Sequence, residues 1–287
     1  KKGNPYGTHR VLEPPGAMPQ PALKLDNDFT HIYDNEILCD VITLNVDAAS
    51  FTVIKEKAGH RKEKITEIMM DIVNSQGKHK NPWTGSGGMF IGKVAKIGSS
   101  LVNKLDLREG DLIASLVSLS LTPLKIHCIK DIRMDRDQVD IDGQAVLFET
   151  GLWAKLPQDL PQELALAVLD VAGAPAQVER LVKPGDIVAV LGGRGKSGLL
   201  CCYQAKKMAG KNGKVIAVLA DEQGRVDVDN ADFIDEVVIC PVDQALNLLE
   251  KITTVTAGKL CDVTINCVSR ENCEMGSIMI TRDLGKV

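Results

Sequence analysis

The chain has 287 residues, of which 44% are hydrophobic and 25% charged, with a formal net charge of −4 and a pI near 5.8. This hydrophobic content is enough for a buried core in each of two domains, and the acidic balance without a basic cluster argues against a nucleic-acid partner. No apolar run approaches the roughly 18 residues of a membrane helix and no signal peptide is recognised, so we expect a cytoplasmic protein with no membrane partner.

The first half of the chain is expected to be rich in β-structure. Short apolar runs bounded by Gly and Pro predict strands over 36–44, 89–96 and 111–119. One helix is predicted over 62–74, because isoleucine and methionine recur there at three- and four-residue spacing.

After Trp153 the pattern changes to alternating helices and strands. A long helix is predicted over 161–181, interrupted by Gly173 and Pro175. The further predicted elements are strands at 187–191, 214–219, 236–239 and 262–268 and helices at 199–209 and 242–253. This alternation is typical of a parallel sheet with right-handed crossovers.

Two places suggest that parts of such a domain are missing from the sequence. The segment 221–232 is short, polar and interrupted by Gly224 where a helix is expected, and the chain stops at Val287 where another strand would begin. We therefore expect a parallel-sheet domain without its C-terminal part.

A glycine-rich turn between the strand at 187–191 and the next helix is the strongest motif, with Gly193, Gly195 and Gly198 in G-x-G-x-x-G register. The first glycine is expected to permit the tight turn, the second to let the backbone approach a pyrophosphate, and the third to let the helix pack closely. Free N–H groups at the start of the helix favour an anion. The predicted cofactor contacts of this turn are Gly193, Arg194, Gly195, Lys196, Ser197 and Gly198.

Asp221 stands at the end of the next strand, where a carboxylate accepts hydrogen bonds from the adenosine ribose and repels a 2′-phosphate. NAD is therefore the predicted cofactor. Alternatives are a solvated strand-end aspartate and an Arg225 that meets a 2′-phosphate. A P-loop is rejected, since its first glycine would fall on Val190.

The eight cysteines include no C-x-x-C pair, and no set of Cys and His has the spacing of zinc ligands. We expect reduced and mostly buried thiols, with Cys261 and Cys267 acting as small apolar residues of one strand. No bound metal is predicted.

The β-rich first half, the segment 107–114 and the Lys-Pro-Gly-Asp run at 183–186 together resemble the medium-chain dehydrogenase/reductase superfamily. The resemblance implies an α/β fold with a GroES-like substrate domain over 1–157 and a Rossmann NAD-binding domain over 158–287. It also implies a homodimer. In the zinc-binding segment of the superfamily, Gly88 and Met89 replace the histidine and glutamate, so zinc-free catalysis is implied.

The segments 4–11, 19–22, 118–126 and 262–268 resemble, more closely, zinc-free amine dehydrogenases of this superfamily. Such enzymes oxidatively deaminate a 3,5-diamino acid with NAD in lysine fermentation, releasing ammonium. This chemistry requires a base beside the reacting amine, a carboxylate for the second ammonium group and a donor for the substrate carboxylate.

Five residues in the first half are candidates for these roles. Asp47, in the loop that carries a metal ligand in zinc enzymes, and Glu149 are the candidate base or amine ligand. Thr150 is expected to contact the nicotinamide, Arg10 to clamp the substrate carboxylate and Ser50 to contact the substrate. A loop-capping aspartate, a helix-entry glutamate and a solvated N-terminal arm are the structural alternatives for Asp47, Glu149 and Arg10.

Two other functions are compatible with these patterns. One is a zinc-free reductase of the same superfamily that acts on quinones or enoyl thioesters with NADPH, against which Asp221 argues. The other is a dinucleotide-binding sensor without catalysis.

Overall fold

The structure of the protein is a computed structural model that describes residues 1–157, 159–268 and 270–287. The chain forms two compact units, Lys1–Asp170 and Val171–Val287. The predicted domain division after residue 157 falls between the last strand and the last helix of the first unit. No helix in the described residues is long and apolar enough to cross a membrane.

The first unit consists of strands, three α-helices and a 3-10 helix, Thr8–Arg10. Its elements are β1 (Val11–Glu13), β2 (Lys24–Leu25), β3 (Glu36–Val46), α1 (Ala48–Lys57), α2 (Lys62–Gln76), β4 (Gly88–Ile97), β5 (Leu112–Ser115), β6 (Leu124–Arg133), β7 (Gln138–Phe148), β8 (Trp153–Lys155) and α3 (Gln162–Leu169). Six strands form an antiparallel sheet in the order β6-β7-β3-β4-β5-β8, while β1 and β2 pair separately. The central strand β3 is buried along almost its whole length, because β7 and β4 flank it and α1 and α2 help to cover the core.

Helix α2 confirms the helix predicted over 62–74 and continues to Gln76. It ends at Gly77, whose φ of +67° belongs to the left-handed region and whose N–H donates to the carbonyl of Val73. A Cβ at Gly77 would lie 2.0 Å from the carbonyl oxygen of Leu25, so only glycine fits.

Two sequence predictions in this unit are wrong in extent. The strand predicted over 111–119 is only β5, since the chain turns between Ser118 and Leu121, where the N–H of Leu121 donates to the carbonyl of Ser118. The segment read as a loop around Asp47 continues directly into helix α1.

The second unit alternates helices and strands. Its elements are α4 (Gly173–Leu181), β9 (Ile187–Leu191), α5 (Lys196–Ala209), β10 (Lys214–Leu219), β11 (Glu236–Ile239), α6 (Ala245–Val255), β12 (Cys261–Asn266), α7 (Cys273–Met279) and β13 (Thr281–Lys286). The five strands form a parallel sheet in the order β11-β10-β9-β12-β13. Apolar residues of α4 and α5 cover one face, and those of α6 and α7 cover the other, as expected for a doubly wound fold.

The helix predicted over 161–181 is two helices, α3 and α4, which are separated at Asp170–Ala172. Pro175 lies in the first turn of α4, where a missing N–H breaks no intrahelical hydrogen bond. The polar segment after β10 forms a 3-10 helix, Glu222–Asp227. The last residues form β13, a strand that the sequence did not predict.

Candidate functional site

The glycine-rich turn lies at the carboxyl end of β9. The sheet order reverses at β9, because its neighbours β10 and β12 continue the chain in opposite directions across the sheet. Ligands of open α/β sheets bind at such a switch point, beyond the carboxyl ends of the strands. The fold therefore places the predicted cofactor motif at the position where a dinucleotide is expected.

Three glycines close this turn for different steric reasons. Gly192 has a φ of +76°, so the left-handed turn occurs there and not at Gly193 as predicted. A Cβ at Gly193 would lie 2.7 Å from the Cβ of Ala217 on β10, and one at Gly198 would lie 2.1 Å from the carbonyl oxygen of Gly192. Gly193 thus permits contact with the neighbouring strand, and Gly198 brings α5 against the turn.

Gly195 differs from these glycines because its missing side chain leaves open space. A Cβ there would have its nearest neighbour, the carbonyl oxygen of Gly192, at 3.5 Å, which is an ordinary contact. Gly195 is exposed and directly precedes α5, and its carbonyl accepts the first helical hydrogen bond, from the N–H of Leu199 at 2.8 Å. The first N–H groups of α5 and the open space beside Gly195 therefore form an exposed cradle, which is suited to an anion.

Arg194 and Asp221 flank this cradle. Asp221 caps the 3-10 helix after β10, and its Oδ1 accepts from the N–H of Gly224 at 3.1 Å. The Arg194 guanidinium lies 3.9 Å from the Asp221 carboxylate and 3.8 Å from that of Asp227. Asp221 is 59% exposed, so its carboxylate remains accessible to a ligand.

Arg225, the alternative phosphate ligand, pairs with two other carboxylates. Its guanidinium lies 3.1 Å from Asp229 and 3.7 Å from Glu222. With Asp221 and Asp227, four carboxylates therefore surround two arginines in the segment after β10. The segment after β10 therefore carries an excess of negative charge.

The two remaining predicted contacts of the turn occupy the start of α5. Lys196 is the first helical residue and its side chain is exposed. Ser197 is partly buried, and its hydroxyl lies 3.7 Å from the Cys267 sulfur.

In the first unit, Asp47 lies at the end of β3 and caps α1. Its Oδ1 accepts from the N–H of Ser50 at 3.2 Å, and its own N–H approaches the carbonyl of Gly87 at 3.4 Å. The positive end of the helix dipole favours the charge of this carboxylate. Gly88 stands where zinc-binding members of the superfamily have a histidine. A Cβ at Gly88 would lie 2.0 Å from the carbonyl oxygen of Asn45, so this glycine permits close packing of the two strands.

Buried polar groups without partners surround this end of β3. Among the described residues, the Asn45 Nδ2, the Ser50 Oγ, the Gln138 Oε1 and both ring nitrogens of His79 have no hydrogen-bond partner. Each of these side chains is at most 1% exposed. Burial lowers the pKa of His79 to about 4, although the carbonyls of His79 and Gly87 act in the opposite direction. These atoms could orient a bound polar molecule or an ordered water.

Sequence reasoning gave no role to Asn45, His79 or Gln138. A polar Lys-His-Lys-Asn run directly after the Gly77 helix cap was the available signal, but burial of His79 depends on nonlocal packing. Of the polar residues at this end of β3, only Asp47 and Ser50 were predicted as site residues.

Glu149 and Thr150 lie at the other end of β3. Glu36, the first residue of β3, pairs with Phe148, and the Glu149 carboxylate accepts from the Asn35 amide at 3.0 Å. The Thr150 hydroxyl donates to the Pro5 carbonyl at 3.0 Å. An eleven-residue strand spans up to about 33 Å. The structure therefore does not bring Asp47 and Glu149 together, so they cannot divide the predicted roles of base and amine ligand at one substrate site.

The structure also corrects the predicted role of Arg10. This residue is 1% exposed, and its Nε and Nη2 donate to the two oxygens of buried Glu36 at 2.9 and 2.8 Å. The remaining donors bind Asp26 and the carbonyls of Asp28 and His31. All five N–H groups are thus occupied, so no donor remains for a substrate carboxylate.

No group of three His, Cys, Asp or Glu side chains in residues 1–157, 159–268 and 270–287 is arranged to hold a metal ion.

Comparison with known proteins gives consistent matches along the chain. The family model "L-erythro-3,5-diaminohexanoate dehydrogenase N-terminal domain" matches residues 9–157. A protein of that enzyme name from Acetoanaerobium sticklandii is 52% identical over 286 residues, which is 100% of this chain and 83% of the relative. One from Fusobacterium nucleatum is 51% identical over 285 residues, covering 99% of this chain and 82% of the relative.

Among solved structures, Escherichia coli quinone oxidoreductase complexed with NADPH superposes with a TM-score of 0.52 at 17% identity, covering 98% of this chain and 68% of that one. This likeness confirms the predicted fold, a GroES-like unit followed by a Rossmann unit. The identity to the two curated relatives is far higher and extends over the whole chain. The chain therefore belongs to the L-erythro-3,5-diaminohexanoate dehydrogenase family.

Proposed function

We propose that this protein oxidatively deaminates L-erythro-3,5-diaminohexanoate with NAD and water, giving 5-amino-3-oxohexanoate, NADH and ammonium, as a step of lysine fermentation. The observation that carries the proposal is the 52% identity to a dehydrogenase of that name over the whole chain. The open cradle at Gly195 supports a dinucleotide as the oxidant. When bound, the nicotinamide ring supplies the hydride acceptor.

The residues of the turn have separate roles in this proposal. The N–H groups at the start of α5 hold the pyrophosphate, with Lys196 and Arg194 near enough in sequence to add positive charge. Asp221 accepts hydrogen bonds from the adenosine ribose, and the carboxylates around it favour NAD over NADP.

For the substrate we propose the end of β3 that carries Asp47. One Asp47 oxygen is engaged by the N–H of Ser50, which leaves the other to hold a substrate ammonium group or to accept its proton. The free Ser50 hydroxyl and Asn45 amide supply a further acceptor and donor nearby. Glu149 has no part in this site, because it binds Asn35 at the opposite end of the strand.

The test is an assay of NADH formation with purified protein, NAD and L-erythro-3,5-diaminohexanoate at alkaline pH, with ammonium measured in parallel. β-Hydroxy acids and simple amino acids serve as control substrates, and NADP as the control cofactor. NADH and ammonium in equal amounts from the diamino acid alone would support the proposal. Binding of NAD without turnover, or NADPH-dependent reduction of a quinone or enone instead, would refute it.

A pair of glycine variants links the activity to the cradle. Gly195→Ala has room for its methyl group within the fold, and the methyl would occupy the open space where we place the pyrophosphate, so NAD binding and activity should be lost while stability is kept. Gly173→Ala, at the start of α4, has nothing within 4 Å and is the matched control with unchanged activity. Full activity of Gly195→Ala would place the dinucleotide elsewhere.

A further inference from the structure

Two cysteine sulfurs meet beside the glycine-rich turn. Cys267 directly follows β12, and its N–H donates to the carbonyl of Leu191, the last residue of β9, at 3.0 Å. The Cys267 sulfur lies 3.9 Å from that of Cys201 and 3.7 Å from the Ser197 hydroxyl. Because Ser197 and Cys201 are four residues apart on α5, both point toward Cys267 from one helix face.

The two thiols differ in access and acidity. All eight cysteines are free, and six of them, including Cys201, are buried, whereas Cys267 is partly exposed. The neighbouring Cys201 thiol, and more weakly the Ser197 hydroxyl, lower the pKa of Cys267 to about 7, although burial opposes this. The same contact raises the pKa of Cys201. Cys267 is therefore suited to attack a disulfide, and Cys201, whose sulfur lies 3.9 Å away, is placed to attack the resulting mixed disulfide.

We propose that Cys267 and Cys201 form a reversible disulfide that weakens dinucleotide binding at the glycine-rich turn. The oxidant is a low-molecular-weight disulfide, R–S–S–R. The Cys267 thiolate attacks one of its sulfurs, forming Cys267–S–S–R and releasing one thiolate. The Cys201 thiolate then attacks the Cys267 sulfur and releases the second thiolate. The protein loses two electrons and two protons, and the small disulfide becomes two thiols.

Closing this bond would link the helix and the strand end that border the cradle. A disulfide has an S–S distance of about 2.05 Å, so sulfurs now 3.9 Å apart must approach by nearly 2 Å. Cys201 lies in the second turn of α5, and the Cys267 carbonyl oxygen would be 3.3 Å from a Cβ on Gly192. In this proposal the approach draws the start of α5 or the turn out of place, and this misaligns the N–H groups that hold the pyrophosphate. This consequence rests on the proposed NAD site.

The test uses a Cys128→Ser protein, which removes the exposed thiol. The protein is incubated with oxidised glutathione, and disulfides are mapped by peptide mass spectrometry. NAD affinity is measured before oxidation, after it, and after reduction with dithiothreitol. We expect a Cys201–Cys267 peptide, and NAD binding about tenfold weaker or more, the equivalent of one lost charge-assisted hydrogen bond, that recovers on reduction.

Two variants separate this effect from general oxidation. Cys201→Ala should stop at the Cys267–glutathione mixed disulfide and yield no internal disulfide. Cys202→Ala, the adjacent buried cysteine, should respond like the parent protein. Absence of the Cys201–Cys267 peptide, or unchanged NAD affinity once it has formed, would overturn the inference. Failure of the reduced protein to bind NAD would overturn the proposed function as well, and the peptide map would still report the disulfide by itself.

Discussion

Replacing Asp221 by asparagine should shift the cofactor preference of this protein from NAD toward NADP. The asparagine keeps the oxygen that accepts from the N–H of Gly224, so the 3-10 helix after β10 should remain capped. The substitution therefore changes charge with little change of shape. It also removes one of two carboxylates that restrain Arg194, which can then approach a 2′-phosphate.

Two contributions to the binding free energies determine how far the cofactor preference should shift. Hydrogen bonds to an ionised group contribute about 1.5–3 kcal/mol and neutral ones about 0.5–1.5 kcal/mol, so NADH binding should weaken by about 1 kcal/mol. A charge pair at 4 Å in water is worth about 1 kcal/mol, so repulsion of a 2′-phosphate that carries nearly two charges should fall by about 2 kcal/mol. The water value applies because Asp221 is 59% exposed. Together the ratio of the two affinities should change about a hundredfold.

The assay is a titration of NADH and NADPH by protein fluorescence or calorimetry at fixed ionic strength. Asp229→Asn is the matched control, because Asp229 pairs with Arg225 nearby. An unchanged affinity ratio in Asp221→Asn, or an equal shift in Asp229→Asn, would refute the assignment of Asp221 to the ribose.

Three further predictions concern the stability of the fold around the candidate sites. Glu36→Gln leaves buried Arg10 without its main counter-ion and should cost about 3–5 kcal/mol, or about 10 °C in Tm, measured by thermal unfolding. Gly198→Ala places a Cβ 2.1 Å from the Gly192 carbonyl oxygen, and should abolish NADH binding and cost about 1–3 kcal/mol in urea unfolding. Stability should fall by about 2 kcal/mol between pH 7 and pH 5, because His79 is neutral when folded, with a pKa of about 4, and takes up a proton near pH 6.5 when unfolded.

Each of these predictions has its control. Asp26→Asn removes a 36% exposed partner of Arg10 and should cost little, so equal losses in both variants would contradict the dominance of Glu36. Gly173→Ala should unfold like the parent, and normal NADH binding by Gly198→Ala would dispute the steric argument. His79→Gln should remove most of the loss between pH 7 and pH 5, and persistence of that loss would assign it to other groups.

The sequence predicted the parallel-sheet unit well because its signals are local. Strand β9, its glycine turn and strand β10 are continuous apolar runs with punctuation, and their observed bounds at 187–191 and 214–219 match the prediction. Helix α1 was missed because Thr52, Val53 and Ile54 favour extended structure. Its real signal was Asp47, a helix cap that we read as a loop residue with a chemical role.

The candidate substrate residues were harder to predict, because their surroundings come from distant segments. Arg10 looked like a free cation near the N-terminus, and only the fold shows Glu36 buried against it. Asp47 and Glu149 both follow strands, and only the pairing of β3 with β7 shows that they lie at opposite ends of β3. No local sequence pattern predicts the burial of Glu36 against Arg10 or the separation of Asp47 from Glu149.

The Arg10–Glu36 ion pair also determines how far the first unit can be truncated from its N-terminus. A fragment that begins after Arg10 would retain Glu36 on the central strand of its sheet, enclosed and without a cation to neutralise it. Such a fragment should be insoluble or unfolded, whereas one that begins at or before His9 retains the complete ion pair. The extended N-terminal segment is thus an integral part of the folding unit, and expression of this unit alone should start at or before residue 9.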